Sequence, residues 1–252
     1  MSARRSCLSV FMIAALLLSL LSSVGSEAAA ASPKETKMQA YVDAMQPGWN
    51  LGNTFDAFDS TDPTGGDETA WGNPRVTKEF IKTIKKQGFK SIRIPVTWSG
   101  RMEGAPDYTI DPAWMDRVQQ VVDWSLQEGL YVMINLHHDS WLWVNKMPAD
   151  HDAVLARYEA IWTQIADRFK NRSDKLMFES INEPSFEKAD AATQHALLDE
   201  LNTSFVHIVR ASGGVNAVRP LVLPTLNTNH AQEHADSLAS TIAKLNDPNL
   251  IA

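Results

Sequence analysis

Residues 130–138 read Leu-Tyr-Val-Met-Ile-Asn-Leu-His-His, an apolar run that ends abruptly in two histidines. A short, near-continuous apolar run is typical of a strand that is buried on both faces of a parallel sheet. Four other runs of this kind lie at residues 49–53, 89–96, 176–181 and 221–226. Residues 249–252 resemble the opening of one more. The sequence therefore predicts five parallel strands and the start of a sixth.

Segments with helical spacing separate these runs. Apolar residues recur in each segment at intervals of three and four, so that each predicted helix has one apolar face to cover a sheet. The faces are Val76, Phe80, Ile81 and Ile84; Trp114, Val118, Val121 and Val122; Tyr158, Ile161, Trp162, Ile165 and Phe169; and Leu197, Leu201, Phe205 and Ile208. Buried strands that alternate with amphipathic helices predict an α/β fold.

Two architectures fit this alternation, a doubly wound open sheet and a closed (β/α)8 barrel. The first predicted strand lacks the Gly-rich phosphate turn of many doubly wound proteins. Polar residues instead follow strand after strand, and the active sites of (β/α)8 barrels lie at the carboxyl ends of the strands. We therefore predict a (β/α)8 barrel in residues 32–252. It would be incomplete, because such a barrel takes roughly 250 residues and eight strand-helix units.

The first 31 residues have a different composition. Arg4 and Arg5 precede an apolar run at residues 10–21, and small residues follow at 28–31. This order is that of a secretory signal peptide, and the apolar run is shorter than the stretch of about 18 residues that a membrane anchor requires. The only cysteine, Cys7, lies inside this leader. We predict a secreted, extracellular protein whose mature part has no disulfide.

The formal net charge of the 252-residue chain is −7, and there is no Lys/Arg-rich run. An acidic surface without basic clusters argues against nucleic acids and anionic membranes as partners. It suits a neutral substrate. We expect a monomer that has no nucleic-acid partner and, after signal cleavage, no membrane partner.

Candidate catalytic residues follow the second, third and fourth predicted strands. They are Arg93, the pair His137 and His138, and Asn182 with Glu183. A carboxylic acid beside an amide suits glycosidic bond cleavage, in which one carboxyl group protonates the departing oxygen and a second attacks or positions water.

Each of these segments has a plainer interpretation when it is taken alone. Asn182-Glu183-Pro184 could be a turn after a strand, Arg93 could belong to a buried ion pair, and the histidines could join a core network or bind zinc. No further histidine or carboxylate stands at ligand spacing from the two histidines, which argues against zinc.

Five segments together resemble glycoside hydrolase family 5, also called cellulase family A. They are Gly48-Trp49-Asn50-Leu51-Gly52-Asn53-Thr54, Glu68-Thr69-Ala70-Trp71-Gly72-Asn73-Pro74, Ile92-Arg93-Ile94-Pro95-Val96, Leu136-His137-His138-Asp139 and Ile181-Asn182-Glu183-Pro184. Their order and spacing are similar to the family across residues 38–252. The first two resemble the branch of bacterial endoglucanases, lichenases and xyloglucanases.

The resemblance implies a retaining hydrolase that cleaves internal β-1,4 bonds of cellulose or related β-glucans. It implies Glu183 as the acid/base, Asn182 as the contact to the sugar 2-hydroxyl, His137 as a wall of the cleavage subsite and Arg93 as the partner of the nucleophile. His138 and Asn53 are implied substrate contacts.

The nucleophile of the family is a glutamate on strand seven, which is not among these residues, so we expect the isolated chain to be inactive. Two carboxyl groups and water suffice for the reaction, and no cofactor or metal is implied. A xyloglucanase, a lichenase, a mannanase or a non-catalytic carbohydrate-binding relative remain as alternatives.

The chain contains eight tryptophans, and sugar faces stack on aromatic rings. We predict that the loop residues Trp71, Trp141 and Trp143 form the floor of a substrate cleft. We predict that Trp114, Trp124 and Trp162 pack beneath helices. Trp49 and Trp98 lie near strand ends and could do either.

Overall fold

A computed structural model describes residues 36–62 and 64–252, so the predicted signal peptide lies outside the described residues. The strands are β1 (Gly48–Asn50), β2 (Ser91–Ile94), β3 (Tyr131–Asn135), β4 (Leu176–Glu179), β5 (Leu221–Val222) and β6 (Leu250–Ile251). They form one sheet in the order β1-β2-β3-β4-β5-β6, and every neighbouring pair is parallel. A doubly wound sheet would reverse its strand order at a switch point. The strictly sequential order is that of consecutive units of a (β/α)8 barrel.

One helix precedes β1, and the others lie between successive strands. The helices are α1 (Lys37–Ala44), α2 (Lys78–Lys86), α3 (Pro112–Gln127), the single-turn α4 (Asp139–Leu142), α5 (His151–Phe169), α6 (Ala191–Ala211) and α7 (Gln232–Leu245). Short 3₁₀ turns occur at Val144–Lys146, Gly214–Ala217 and Leu226–Thr228. Among the described helices, none combines the length and the apolar character needed to cross a membrane.

The sequence marks the helix boundaries clearly. The hydroxyl of Thr77 accepts a hydrogen bond from the backbone N–H of Phe80 at the start of α2, and Asp111 caps α3, whose first residue is Pro112. These are favoured residues at helix starts, since they satisfy free backbone donors or lack one. Gly88 and Gly129 follow helices with φ of 97° and 74°, the left-handed conformation that favours glycine at a helix end.

The core lies between the sheet and the helices. Ile92, Ile94 and Phe178 are fully buried, and the ring of Trp162 on α5 lies 5.7 Å from that of Phe178. Successive side chains of a strand point to opposite faces, so Arg93 and Glu179 project to the other side of the sheet.

Two expectations about burial are wrong. Phe80 is 40% exposed, because Ile81 and Ile84 of α2 already cover the sheet. All three residues of β1 are exposed. This strand has only β2 as a neighbour within residues 36–62 and 64–252, so its other edge is open.

Candidate active site

The carboxyl ends of the first four strands bring the polar residues of the sequence to one edge of the sheet. Parallel register pairs Asn50 of β1 with Arg93 of β2, and Asn135 of β3 with Glu179 of β4. The chain leaves β3 toward His137 and leaves β4 toward Asn182. The backbone N–H of Asn182 donates to the carbonyl of Leu136 at 2.8 Å, which holds these two exits together.

Arg93 is the centre of this edge. Its Nε donates to Glu179 Oε2 at 2.7 Å and its Nη2 to Glu179 Oε1 at 2.9 Å, a bidentate ion pair. Nη2 also donates to Asn182 Oδ1 at 3.0 Å, and Nη1 donates to Asn50 Oδ1 at 3.1 Å. The guanidinium therefore links β1, β2 and β4.

Asn182 and Glu183 lie at the rim. Because Asn182 Oδ1 faces Arg93, its amide nitrogen is turned away from Arg93 and donates to none of the described residues. Glu183 is exposed, and its backbone has a φ of 42°. A positive φ is uncommon for a residue other than glycine, and such conformations cluster at functional sites. The arrangement presents a carboxyl group beside a free amide donor.

His137 and His138 share one neighbour, the buried carboxylate of Asp56. The Nε2 atom of His138 lies 3.6 Å from Asp56 Oδ2, and that of His137 lies 3.9 Å from it. The other partners of Asp56 are the backbone N–H groups of Asn53 at 3.1 Å and Thr54 at 2.8 Å. The exposed Asn53 is therefore held, through its backbone N–H, by the carboxylate that lies beside both imidazoles.

Burial and charge fix the protonation of this cluster. Burial lowers the pKa of His137 to about 3, and the neighbouring Arg93 and His138 act in the same direction, against Asp56. Burial raises the pKa of Asp56, but the His138 imidazole and the backbone N–H groups of Thr54 and Asn53 outweigh it and hold that pKa below its ordinary value. At neutral pH, His137 is neutral and Asp56 is an anion.

These three side chains are also the residues that could hold a metal ion. Their ligand atoms lie within 4.8 Å of one another. Spacing along the chain does not reveal this cluster, because Asp56 is far from the histidines in the sequence. The tautomer of His137 nevertheless disfavours metal binding. Asn135 Oδ1 accepts a hydrogen bond from the backbone N–H of Val96, so the atom that faces His137 Nδ1 at 3.2 Å is the donor Asn135 Nδ2. Because Nδ1 accepts this bond, the neutral imidazole of His137 carries its proton on Nε2.

Four aromatic rings form a patch beside the histidines. This aromatic patch consists of Phe58, Trp71, His138 and Trp141. Trp71 and Trp141 are 43% and 49% exposed, and their ring centroids lie 5.3 Å and 5.4 Å from that of His138. Exposed indole faces next to polar side chains are suited to stacking on sugar rings.

Comparison with known proteins decides the family. Residues 53–251 match the family described as Cellulase (glycosyl hydrolase family 5), a span that contains every site residue predicted from the sequence. The chain belongs to glycoside hydrolase family 5. The six strands described are therefore strands of the family's (β/α)8 barrel, and the predicted fold class is confirmed.

Relatives within family 5 include enzymes with known structures. Endoglucanase B of Paenibacillus lautus is 56% identical over 100% of this chain and 44% of its own length. The tri-modular endo-β-1,4-glucanase B of Bacillus halodurans is 57% identical with a TM-score of 0.80, over 85% of this chain and 40% of that one. A xyloglucan-specific endo-β-1,4-glucanase from a metagenomic library, solved with cellotriose, is 36% identical with a TM-score of 0.73, over 81% and 60%. The chain spans less than half the length of the first two relatives.

One predicted substrate contact of the family 5 site is placed elsewhere. Trp143 is only 7% exposed, so it does not form a cleft floor. Its Nε1 donates to the buried Asp139 at 2.9 Å, and the guanidinium of Arg157 lies 4.3 Å from its ring centroid. Trp143 is a packing residue, because the single turn α4 carries it inward while Trp141 remains outside.

The exposure of the other tryptophans follows from the elements on which they lie. Trp114 and Trp162 are buried and Trp124 is partly buried, as predicted for helix residues. Trp98 is fully buried and donates to the carbonyl of Asn135, whereas Trp49 is 37% exposed.

The sequence did not point to Asn50, Asp56 or Glu179 as members of this site. Their signal is positional: each stands at a strand end or, for Asp56, six residues after one. The resemblance assigned Arg93 to the nucleophile, yet within the described ranges its carboxylate partner is Glu179.

Proposed function

We propose that this chain carries the acid/base half of the active site of a secreted, retaining endo-β-1,4-glucanase. The observation that supports it most is the hydrogen bond from Arg93 to Asn182 Oδ1. It turns the amide donor of Asn182 outward, next to the exposed Glu183. A donor for a sugar hydroxyl and a carboxyl group for the glycosidic oxygen are then neighbours at the barrel mouth.

Glu183 acts twice in this proposal. It first protonates the departing glycosidic oxygen while a second carboxylate attacks the anomeric carbon and forms a glycosyl-enzyme. It then removes a proton from the water that hydrolyses this intermediate. Asn182 donates to the 2-hydroxyl, a bond that tightens in the transition state. His137 lines the subsite as a neutral donor through Nε2–H.

The second carboxylate is proposed to come from a segment outside these 252 residues. A retaining site needs its two carboxyl groups about 5 to 5.5 Å apart. Arg93 would hydrogen-bond that nucleophile and favour its ionised form. The partial coverage of the relatives is compatible with this division of the site.

A neutral β-glucan chain is the proposed substrate. The aromatic patch offers two indole faces without a basic cluster, which suits an uncharged sugar polymer better than an anionic one. Export is proposed on the order of charged, apolar and small residues in the leader.

The test is Glu183→Ala in the full-length protein, with Glu187→Ala as the matched control. Glu187 is an exposed glutamate four residues later whose carboxylate accepts from Asn145 instead of facing a free amide. We expect Glu183→Ala to lose about 10²- to 10⁴-fold in kcat/KM on barley β-glucan and Glu187→Ala to resemble the wild type.

Two further readouts identify the acid/base role. An aryl cellobioside with a dinitrophenolate leaving group needs no proton donor. On this substrate, Glu183→Ala should therefore lose far less of the rate of the first step, formation of the glycosyl-enzyme. Azide should restore turnover of Glu183→Ala and give a β-configured glycosyl azide, since no base is needed for azide attack. Unchanged hydrolysis by Glu183→Ala contradicts the assignment. A wild type that binds but does not cleave barley glucan, carboxymethylcellulose, xyloglucan or mannan is a carbohydrate-binding protein instead.

A further inference from the structure

Glu179 is a buried carboxylate that the proposed mechanism does not use. It is the last residue of β4, is 9% exposed, and directs both oxygens to Arg93 two strands away on β2. A buried carboxylate without a partner is strongly disfavoured, so the ion pair keeps both groups in place.

The donors of Arg93 can be counted. A guanidinium has five N–H groups in a rigid plane. Nε–H and one Nη2–H bind Glu179, the second Nη2–H binds Asn182, and one Nη1–H binds Asn50. Within the described part of the chain, one Nη1–H is left over. The plane that Glu179 fixes therefore sets both the orientation of the Asn182 amide and the direction of the last free donor.

We propose that Glu179 is a positioning residue for catalysis, which acts through Arg93. It holds the guanidinium plane so that Arg93 orients Asn182 and directs one remaining N–H to the nucleophile, and it balances the charge of Arg93 at the barrel mouth. This inference rests on the proposed function.

The alternative is a merely structural ion pair, and the molecule contains one for comparison. Glu68 binds Arg117 in the same bidentate manner, Oε2 to Nε at 2.6 Å and Oε1 to Nη2 at 2.7 Å. The side chains of Glu68 and Arg117 are 1% and 9% exposed, whereas those of Glu179 and Arg93 are 12% and 25% exposed. Arg117 binds backbone and Gln120 in addition, but no candidate catalytic residue. Glu68→Gln is therefore the matched control for Glu179→Gln.

The experiment compares these two variants in the full-length protein on barley β-glucan. Glutamine keeps the size and one oxygen acceptor but removes the negative charge. The charged and titratable groups that face Arg93 are Glu179 from β4 and His137 after β3, while β1 contributes the neutral Asn50. In Glu179→Gln the positive charge of Arg93 is no longer compensated. Arg93 then stabilises any carboxylate anion beside it more strongly.

For Glu179→Gln we expect kcat to fall about 10- to 100-fold with little change in KM, because Asn182 and the nucleophile lose their alignment. The acidic limb of the pH profile of kcat/KM should move to lower pH. Glu68→Gln should lower the Tm and leave that limb at its wild-type pH. Glu179→Asp keeps the charge but shortens the reach, so it should lower kcat without moving the acidic limb.

The outcomes separate the two proposals. If the wild type hydrolyses the glucan and Glu179→Gln loses only stability, as Glu68→Gln does, the positioning role is wrong and the proposed function stands. If Glu179→Gln does not fold, Glu179→Asp decides. A lowered kcat with the acidic limb at its wild-type pH supports the positioning role. Wild-type kinetics for Glu179→Asp overturns it. If the wild type cleaves no glucan, the proposed function fails, and a crystal structure of Glu179→Gln decides: an intact Arg93–Asn182 hydrogen bond overturns the inference.

Discussion

The indole Nε1–H of Trp141 donates a hydrogen bond to Nδ1 of His138 at 3.0 Å. An indole is only a donor, so Nδ1 must accept and the neutral imidazole carries its proton on Nε2. Asn135 imposes the same tautomer on His137. A metal-binding histidine offers a bare nitrogen to the ion and donates its other N–H to an acceptor, which is the reverse arrangement.

We therefore predict that the cluster of Asp56, His137 and His138 binds Zn²⁺ weakly, and that dialysis of the full-length protein against EDTA leaves its hydrolysis rate unchanged. Trp141→Phe removes the donor and frees His138 to change tautomer, so it should raise Zn²⁺ affinity about tenfold. Calorimetric titration measures this, with Trp143→Phe as the control. Tight, stoichiometric Zn²⁺ binding by the wild type would contradict the tautomer argument.

Trp141 and Trp143 lie two residues apart and should respond differently to removal. Trp141→Ala deletes an exposed face of the aromatic patch, so we expect KM for β-glucan to rise about three- to tenfold, the effect of roughly 1 kcal/mol of aromatic contact. Trp143→Ala should instead lower the Tm, because it empties a buried position under Arg157. Kinetics and thermal melts on both variants check this. Equal effects on KM would show that exposure does not distinguish the two rings.

Stability should fall as pH falls through the titration range of His137. Its pKa is lowered from 6.5 to about 3, so its contribution to stability is present above pH 6.5 and is lost as the pH falls toward 3. One such proton gives a slope of up to about 1.4 kcal/mol per pH unit. Asp56, with a lowered pKa, adds to the loss at the acid end of this window.

We therefore expect the Tm of His137→Asn to fall less than that of the wild type between pH 7 and about pH 4. His151 is a suitable control, since it is an exposed histidine with its pKa raised by Asp152 and Glu200, and His151→Asn should retain the acid sensitivity. Parallel curves for His137→Asn and the wild type would refute the burial of a neutral imidazole.

Asp139 should be the most sensitive carboxylate of the loop after β3. It is fully buried and accepts hydrogen bonds from the backbone N–H groups of Trp98 and Ser99, the Ser99 hydroxyl and Trp143 Nε1. Asp139→Ala leaves these donors without an acceptor and should lower the free energy of unfolding by at least about 3 kcal/mol. Asp150→Ala removes an exposed carboxylate that makes no capping bond and should change it little. Urea denaturation measures both.

Local patterns predicted the elements and the family well. Apolar runs gave the strands and threefold to fourfold spacing gave the helices, because these periodicities are properties of short segments. Arg93, His137, Asn182 and Glu183 could be chosen from sequence because each lies in a strand, or within four residues after its end, in a recognisable segment.

The sequence by itself determined the parallel α/β order, the family and the chemical types at the strand ends, since these depend on neighbours in the chain. Only the tertiary structure decided that Glu179 binds Arg93, that Asp56 lies beneath two histidines, and that Trp141 is exposed while Trp143 is buried. The two contacts join residues that are far apart in the sequence. The exposure of each tryptophan depends on which way a single turn of helix faces. Their energies come from burial and distance, which no local pattern encodes.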